Sequence, residues 1–248
     1  MKKIFTLIAV AAMTLTVNAQ GIVWAFNESP TAAPAISDEN IASGSVTLTG
    51  TDANYNEGAG FRIQNPSAGD NSGIPFVTVA PADAETPFVV EWKAEAATGK
   101  TFSPSKIIMR MARFGTDAGL VNLSYKVDGG EAVVLAEGLH PARNNKTQAE
   151  DKHGADDLYC AQYSKNLKNV SVTKDFILIA SVSGLATNKQ GGFAEIIIQT
   201  GSETPTGIQT VKSETIDVNA PVYNLAGQQV DKSYKGVVIQ NGVKRIQK

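Results

Sequence analysis

The stretch "GLHPARNNKTQ" gathers His140, Arg143, Asn144, Asn145 and Lys146 directly after a strand-like run. Arg and Lys pair with carboxylates, and Asn can both donate to and accept from sugar hydroxyls. Such a set suits an acidic polysaccharide such as a uronan. The competing reading is a polar turn whose Asn side chains satisfy their own backbone. Arg110 and Arg113, in "SKIIMRMARFG", either extend the same face or pair with Asp or Glu inside the fold. Tyr159 and Tyr163, in "DDLYCAQYS", are candidates for a partly exposed stacking platform. Trp92, and Trp24 with Phe26, fall on apolar strand faces and are expected in the core.

Catalytic chemistry leaves no comparable trace. There is no Gly-x-Ser-x-Gly, no His-Glu-x-x-His, no phosphate loop and no Cys-x-x-Cys. A glycosidase needs two carboxylates across a cleft, and the obvious pair, Glu91 and Glu95, lies on a wet strand face beside Lys93. The two His, His140 and His153, share one polar stretch with Asp151, Asp156 and Asp157, but the spacing matches no ligand motif. No cofactor is expected. A structural calcium held by loop carbonyls and Asp117 or Asp128 is allowed by composition alone. Cys160 reads as a small buried residue rather than a nucleophile. It is the one Cys of the chain, which excludes an internal disulfide.

The elements that must position these residues are strands. In "PFVVEWKAEA" Phe88, Val90, Trp92 and Ala94 alternate with Val89, Glu91, Lys93 and Glu95, so one face is core and the other is wet. "LVNLSYKVD" is one-sided in the same way. "SKIIMRMARFG" is apolar on both sides and predicts a central strand with one functional or paired charge per face. "FILIASVSG" and "FAEIIIQTG" are near-continuous apolar runs, predicting strands covered on both faces. Asp128-Gly129-Gly130 predicts a tight hairpin, and Thr98-Gly99-Lys100 and Asp117-Ala118-Gly119 mark further turns. About ten strands are expected from Ile22 to Gln199, as an all-β, antiparallel sandwich or jelly roll. The polar stretch from His140 to Tyr159 breaks the spacing, and long connections of this kind are usually functional or disordered.

The ends carry different information. "MKKIFTLIAVAAMTLTVNAQ" has two lysines, an apolar run and Val17-Asn18-Ala19, the pattern of an export signal over 1–19 cleaved after Ala19. The run is shorter than the roughly 20 residues that span a bilayer, and no later apolar run is long enough. No transmembrane segment is expected after cleavage, and the protein is expected outside the cell or on its outer surface. The net charge of −2, with both signs scattered, argues against nucleic acid. The β domain is placed at 20–201, a linker at 202–220, and a small β unit at 221–248, with strands at Val222 to Leu225, Gly236 to Gln240 and Val243 to Ile246, the last after Asn241-Gly242.

Two resemblances attach to quoted residues. "GKTFSPSKIIMRMARFGTDAG", "GLHPARNN" and "NKQGGFAEIIIQTG", with the opening "VWAFN", resemble an accessory β-sandwich found beside pectate-lyase domains in secreted polysaccharide-degrading proteins of Bacteroidetes. That resemblance implies a galactose-binding-like jelly roll, a polysaccharide partner and no catalysis. "VYNLAGQQV" and "YKGVVIQNGVKRIQK" resemble C-terminal sorting modules of the type IX secretion system. They imply that export machinery reads the terminal unit. Two other classes stay open: a structural or adhesive surface protein, and a lyase or hydrolase with a dispersed site.

Overall fold

The computed structural model describes residues 20–26, 29–115, 119–154, 157–201, 221–224, 227–231, 233–240 and 243–247. The export signal, the linker, Asp117, Asp156, Leu225 and the Asn241-Gly242 turn lie outside them. Every named element is a strand. In chain order they are β1 (Gln20–Trp24), β2 (Ala35–Ile36), β3 (Ile41–Thr49), β4 (Arg62–Gln64), β5 (Phe76–Val79) and β6 (Phe88–Ala96). Next come β7 (Pro104–Phe114), β8 (Leu120–Val127), β9 (Val133–Arg143), β10 (Tyr159–Cys160), β11 (Gln162–Asn166), β12 (Asp175–Ser183) and β13 (Gln190–Thr200). A second unit holds β14 (Val222–Asn224), β15 (Gln229–Val230), β16 (Gly236–Gln240) and β17 (Val243–Gln247). The chain divides into two compact units, Met1–Ser202 and Glu203–Lys248.

The first unit is a β-sandwich of the expected class. One layer centres on β13, with β7 on one edge and β1 and β5 sharing the other. β11 lies beyond β7. The other layer runs β9-β8-β12-β6-β3. The strand β9 belongs to both layers. Val133 to Leu139 pair antiparallel with β8, while Ala142 and Arg143 pair parallel with Ala112 and Arg113 of β7. The register of β8 and β9 shifts between Val121 and Leu123 and again at Ser124. Bulges of this kind twist and bend a strand, and here the bend carries β9 from one layer to the other.

Alternation builds the core. Phe88, Val90, Trp92 and Ala94 of β6 are buried, as are Phe176, Leu178, Ala180 and Val182 of β12. Trp92 meets Phe193 edge-on at 5.2 Å between centroids, a favoured aromatic geometry. Trp24 and Phe26 are core residues too. The Asp128-Gly129-Gly130 hairpin forms, with both Asp128 and Gly129 at positive φ and the Gly130 amide donating to the Val127 carbonyl at 2.8 Å.

One expectation is corrected. The run of β12 is not covered on both faces, because Ile177 and Ile179 are only half-buried, and β13 is covered on both only near Ala194, with Ile197 half-buried further on. In a two-layer sandwich the outer face of each sheet meets water, and β-branched residues there suit the extended backbone. The pairing is antiparallel, as expected, apart from the short parallel registers of β9 with β7 and β10.

The terminal unit is one antiparallel sheet in the order β15-β14-β16-β17. It has the three strands expected plus the short β15. The amide of Gln228 donates to the Asn224 side chain at 3.0 Å, closing the turn between β14 and β15.

Candidate polar-loop binding site

The residues between β9 and β10 form a loop whose ends are tied together. β10 returns alongside β9, with Tyr159 opposite His140 and Cys160 opposite Pro141. Inside the loop the Thr147 amide and hydroxyl both donate to Glu150, each at 3.0 Å. The amides of Glu150 and Asp151 donate back to the Thr147 carbonyl. The Gly154 amide donates to the Asp151 carbonyl at 2.9 Å.

A buried ion pair anchors this loop. Arg113 and Asp151 have side chains about 1% exposed and are hydrogen-bonded to each other. The Arg113 Nε also donates to the Pro141 carbonyl at 3.1 Å. Asp151 accepts from the Arg143 amide at 2.9 Å and from the His153 amide at 3.3 Å. Burial works against the Asp151 charge, but the two amides and the Arg113 guanidinium outweigh it and hold the carboxyl below its ordinary value. The pair joins β7 to the loop, while the Asn144 amide donates to the Arg113 carbonyl at 3.0 Å.

A second loop closes over the first. Residues 65–75 fold across the outer face of β7 and β13, where Ile74 and Phe76 pack on Ala112, Phe114 and Ala194. The Asn71 side chain is buried and donates to the Met111 carbonyl at 3.2 Å. Gly69, at φ +83°, runs against Lys146 so closely that a Cβ would sit 2.4 Å from its carbonyl oxygen. Asp70 then accepts from the Gln148 amide at 2.8 Å and the Tyr159 hydroxyl at 2.6 Å. Burial, and then the Asp70 carboxylate, push the Tyr159 phenol well above its usual range.

The predicted site residues divide accordingly. Asn145 is exposed, and His140, Arg143, Asn144, Lys146 and Tyr159 are half-buried on this loop or its ends. His140 stacks on His153, with centroids 4.5 Å apart and planes 10° from parallel. Arg113 is not a surface contact: it sits on the inner side of the strand, where its charge is matched by Asp151. Tyr163 is not an open platform either. Its ring packs on the main core and its hydroxyl donates to the Leu135 carbonyl at 3.3 Å. Arg110 pairs with Glu195 on the outer face, so β7 carries one paired charge on each side. Sequence reasoning missed Asp70 and Asn71. Gly69-Asp70-Asn71-Ser72-Gly73 is a turn signature, but nothing in it points to Tyr159, 89 residues away.

The other candidates resolve as structural groups. Burial raises the Cys160 thiol to about 11, which keeps it protonated at neutral pH. Glu95 is bonded by Lys93 and Ser43 on the wet face. Among the described residues no group of three or more His, Cys, Asp or Glu converges as a metal site would. Asp128, considered for calcium, accepts instead from the Thr173 hydroxyl and from the amides of Thr173, Lys174 and Asp175. Burial opposes its charge, yet these donors lower its carboxyl to about 2. A carboxyl depressed on folding stabilises the native state above its unfolded value, near 3.9, and that contribution is lost as pH falls through the folded value. Asp128→Ala is therefore expected to cost about 1–2 kcal/mol near pH 7, allowing for its partial exposure. Urea titrations should show the difference from the parent shrinking between about pH 4 and the folded value of about 2.

Two hollows among the described residues are small. One is lined by Arg113, Pro141, Val182, Leu185 and Phe193, the other by Phe26, Val46, Leu48, Val79 and Trp92. Each has room for about one water molecule, so neither accommodates a sugar ring.

No family model matches the chain. No curated protein matches it. Solved structures give partial likenesses. One is TmCBM61 in complex with beta-1,4-galactotriose, at 11% identity and TM-score 0.36, covering 62% of this chain and 88% of that one. Another is a pectin binding carbohydrate binding module, at 18% identity and TM-score 0.30, covering 62% and 89%. A third is the family 32 CBM from C. perfringens NanJ in complex with galactose, at 13% identity and TM-score 0.33, covering 64% and 93%. Likenesses of this extent assign no ligand and no site to this chain.

Proposed function

We propose that this chain is an exported, non-catalytic carbohydrate-binding protein that takes an acidic or plant-type polysaccharide on the loop between β9 and β10. The observation that carries this reading is the construction of the loop. Its ends are zipped together and its centre is pinned by the buried Arg113–Asp151 pair. Asn145 is left exposed, with Arg143, Asn144 and Lys146 half-exposed around it. A polar surface held this firmly loses little conformational entropy when a glycan settles on it. His140 and Tyr159 support the platform from β9 and β10. A polymer needs an open surface rather than a closed pocket, which fits the small hollows of the sandwich. The segment 1–19 would direct export, and the terminal unit would be read by export machinery of the type IX kind.

The acidic preference rests on Arg143 and Lys146, because Arg113 is neutralised. Arg143→Ala is expected to weaken a uronan oligosaccharide about fivefold to tenfold and a neutral one hardly at all, the loss typical of one partly exposed charged hydrogen bond. Calorimetric titration of both ligands checks this. Equal losses would remove the acidic preference.

A second reading, a protein-binding surface component, draws on Val133, Val134 and Leu158, which are 48%, 60% and 45% exposed. Isolated exposed apolar residues are ordinary. A joint effect of Val133→Ser and Val134→Ser on attachment to a protein-coated surface would favour it.

A further inference from the structure

We infer that β3 is an interface between copies of this chain: two β3 strands pair antiparallel about a two-fold axis at Val46 and join two layers into one continuous sheet. The inference does not depend on the glycan reading.

The edge is open and unguarded. β3 is the last strand of its layer, with β6 on one side. Among the described residues, the backbone from Ala42 to Thr49 has no partner but β6. Hydrogen-bonding groups alternate between the two sides of a strand, so half of them face outward. Folded proteins usually blunt such an edge by shortness, charge or proline. Other strands with a single neighbour follow that rule. β2 and β10 have two residues each, β4 has three including Arg62, and β11 has five including Lys165. β3 has nine residues and neither charge nor proline. Its bulge lies between Ile41 and Ser43, and Gly50, at φ +72°, ends it. The regular stretch is therefore Ser43 to Thr49, with Val46 at its midpoint.

That stretch complements itself. A two-fold axis at Val46 sets Ser43 opposite Thr49, and Ser45 opposite Thr47, of the second copy. Ser45, Thr47 and Thr49 are exposed, and hydroxyl pairs of this kind across strands are favourable. On the inner face Val46 meets its own counterpart, and Leu48 meets Gly44, which has no side chain to oppose it. Val46 and Leu48 are half-buried and already pack on the core. Pairing therefore removes further apolar surface from water.

Charge selects the same register. On β6, Lys93 lies beside Ser45 and Glu91 beside Thr47. Each row across the interface then runs from Glu91 of one copy, through Thr47 and Ser45, to Lys93 of the other. Opposite charges end both rows, three strand spacings or about 14 Å apart. Moving the axis to Ser45 would align Lys93 with Lys93, and moving it to Thr47 would align Glu91 with Glu91. With only Ser43 to Thr49 engaged, the interface falls below the roughly 1,000 Å² of a stable complex, so the dimer is a weak one.

The test is sedimentation velocity of the whole protein from about 10 to 500 μM, a range suited to a weak interface, with two double variants. Ser45→Lys with Thr47→Lys sets like charges opposite each other at both crossings and should weaken the dimer about tenfold or more. Ser45→Glu with Thr47→Lys sets opposite charges there and should hold it at least as tightly as the parent. Both positions are exposed, so the fold should be kept. A parent that stays monomeric, its edge then open to another protein's strand, overturns the inference. So does a dimer that the first variant leaves unchanged, or one lost equally in both variants. Should a variant not fold, hydrogen exchange of the parent decides. Protection of peptides covering 43–49 that rises with protein concentration supports the pairing, and protection independent of concentration overturns it.

Discussion

Asp151→Asn is expected to lower the unfolding free energy by about 3–5 kcal/mol, the loss typical when one partner of a buried ion pair is removed. The variant keeps the shape of the side chain and removes its charge. Arg113 stays where it is, about 1% exposed, with the Pro141 carbonyl in place and its counter-charge gone. The amides of Arg143 and His153 also face a weaker acceptor. The damage should centre on the junction of β7, β9 and the loop, since that is what the pair connects. A double replacement, Arg113→Met with Asp151→Leu, should recover most of the loss, because apolar residues of similar volume often substitute for a buried pair at little cost. Urea denaturation of the three proteins checks this. If the single variant falls by less than about 1 kcal/mol, the range for an exposed pair, the pair is not the anchor described. The pair should be insensitive to pH between 5 and 8: a depressed carboxyl stabilises above its unfolded value and fails only as pH drops below it.

Gly154→Ala should be nearly as damaging. A Cβ at this position would lie 1.3 Å from the Gln148 carbonyl oxygen, 2.4 Å from its carbon and 3.1 Å from the Asp151 carbonyl oxygen. All three are backbone atoms, so no side chain can swing aside. One turn of the loop must move, at an expected cost of about 2–3 kcal/mol. Such a shift would strain the Gly154–Asp151 hydrogen bond and move Gln148 away from Asp70. The same substitution at Gly130, where a Cβ would meet the Val127 carbonyl oxygen at 3.0 Å, should be milder. Thermal unfolding of the two variants gives the comparison. Equal shifts would mean that the loop yields more easily than its packing implies.

Much of the sandwich was legible because its cause is local. Alternation along β6 and β8 follows from one-sided burial, and a hairpin at Asp128-Gly129 follows from turn chemistry. The two arginines of β7 could be read as one paired charge per face because their odd separation puts them on opposite sides of a strand. Their partners could not be read. Glu195 and Asp151 lie 85 and 38 residues away, and only the assembled sheet brings them close. The switch of β9 between layers was equally hidden, since a parallel pairing of two residues leaves no periodic trace. At the site, the polar run after β9 was visible from composition. Its rigidity was not, because that depends on residues 65–75 closing over Ala112 and Ala194, and Ala at a strand position does not reveal which face will be covered.

The proposed function makes the loop between β9 and β10 a glycan platform. The most direct measurement is binding of the purified protein to an array of uronic-acid and neutral plant polysaccharides, repeated with an Asn145→Ala, Lys146→Ala double variant. Both side chains can be removed without touching the Arg113–Asp151 anchor, so folding should be preserved. Binding should concentrate on uronans and fall about tenfold or more in the variant, as expected for loss of one exposed and one half-buried polar contact. Silence across the array, or binding that the variant leaves unchanged, would contradict it.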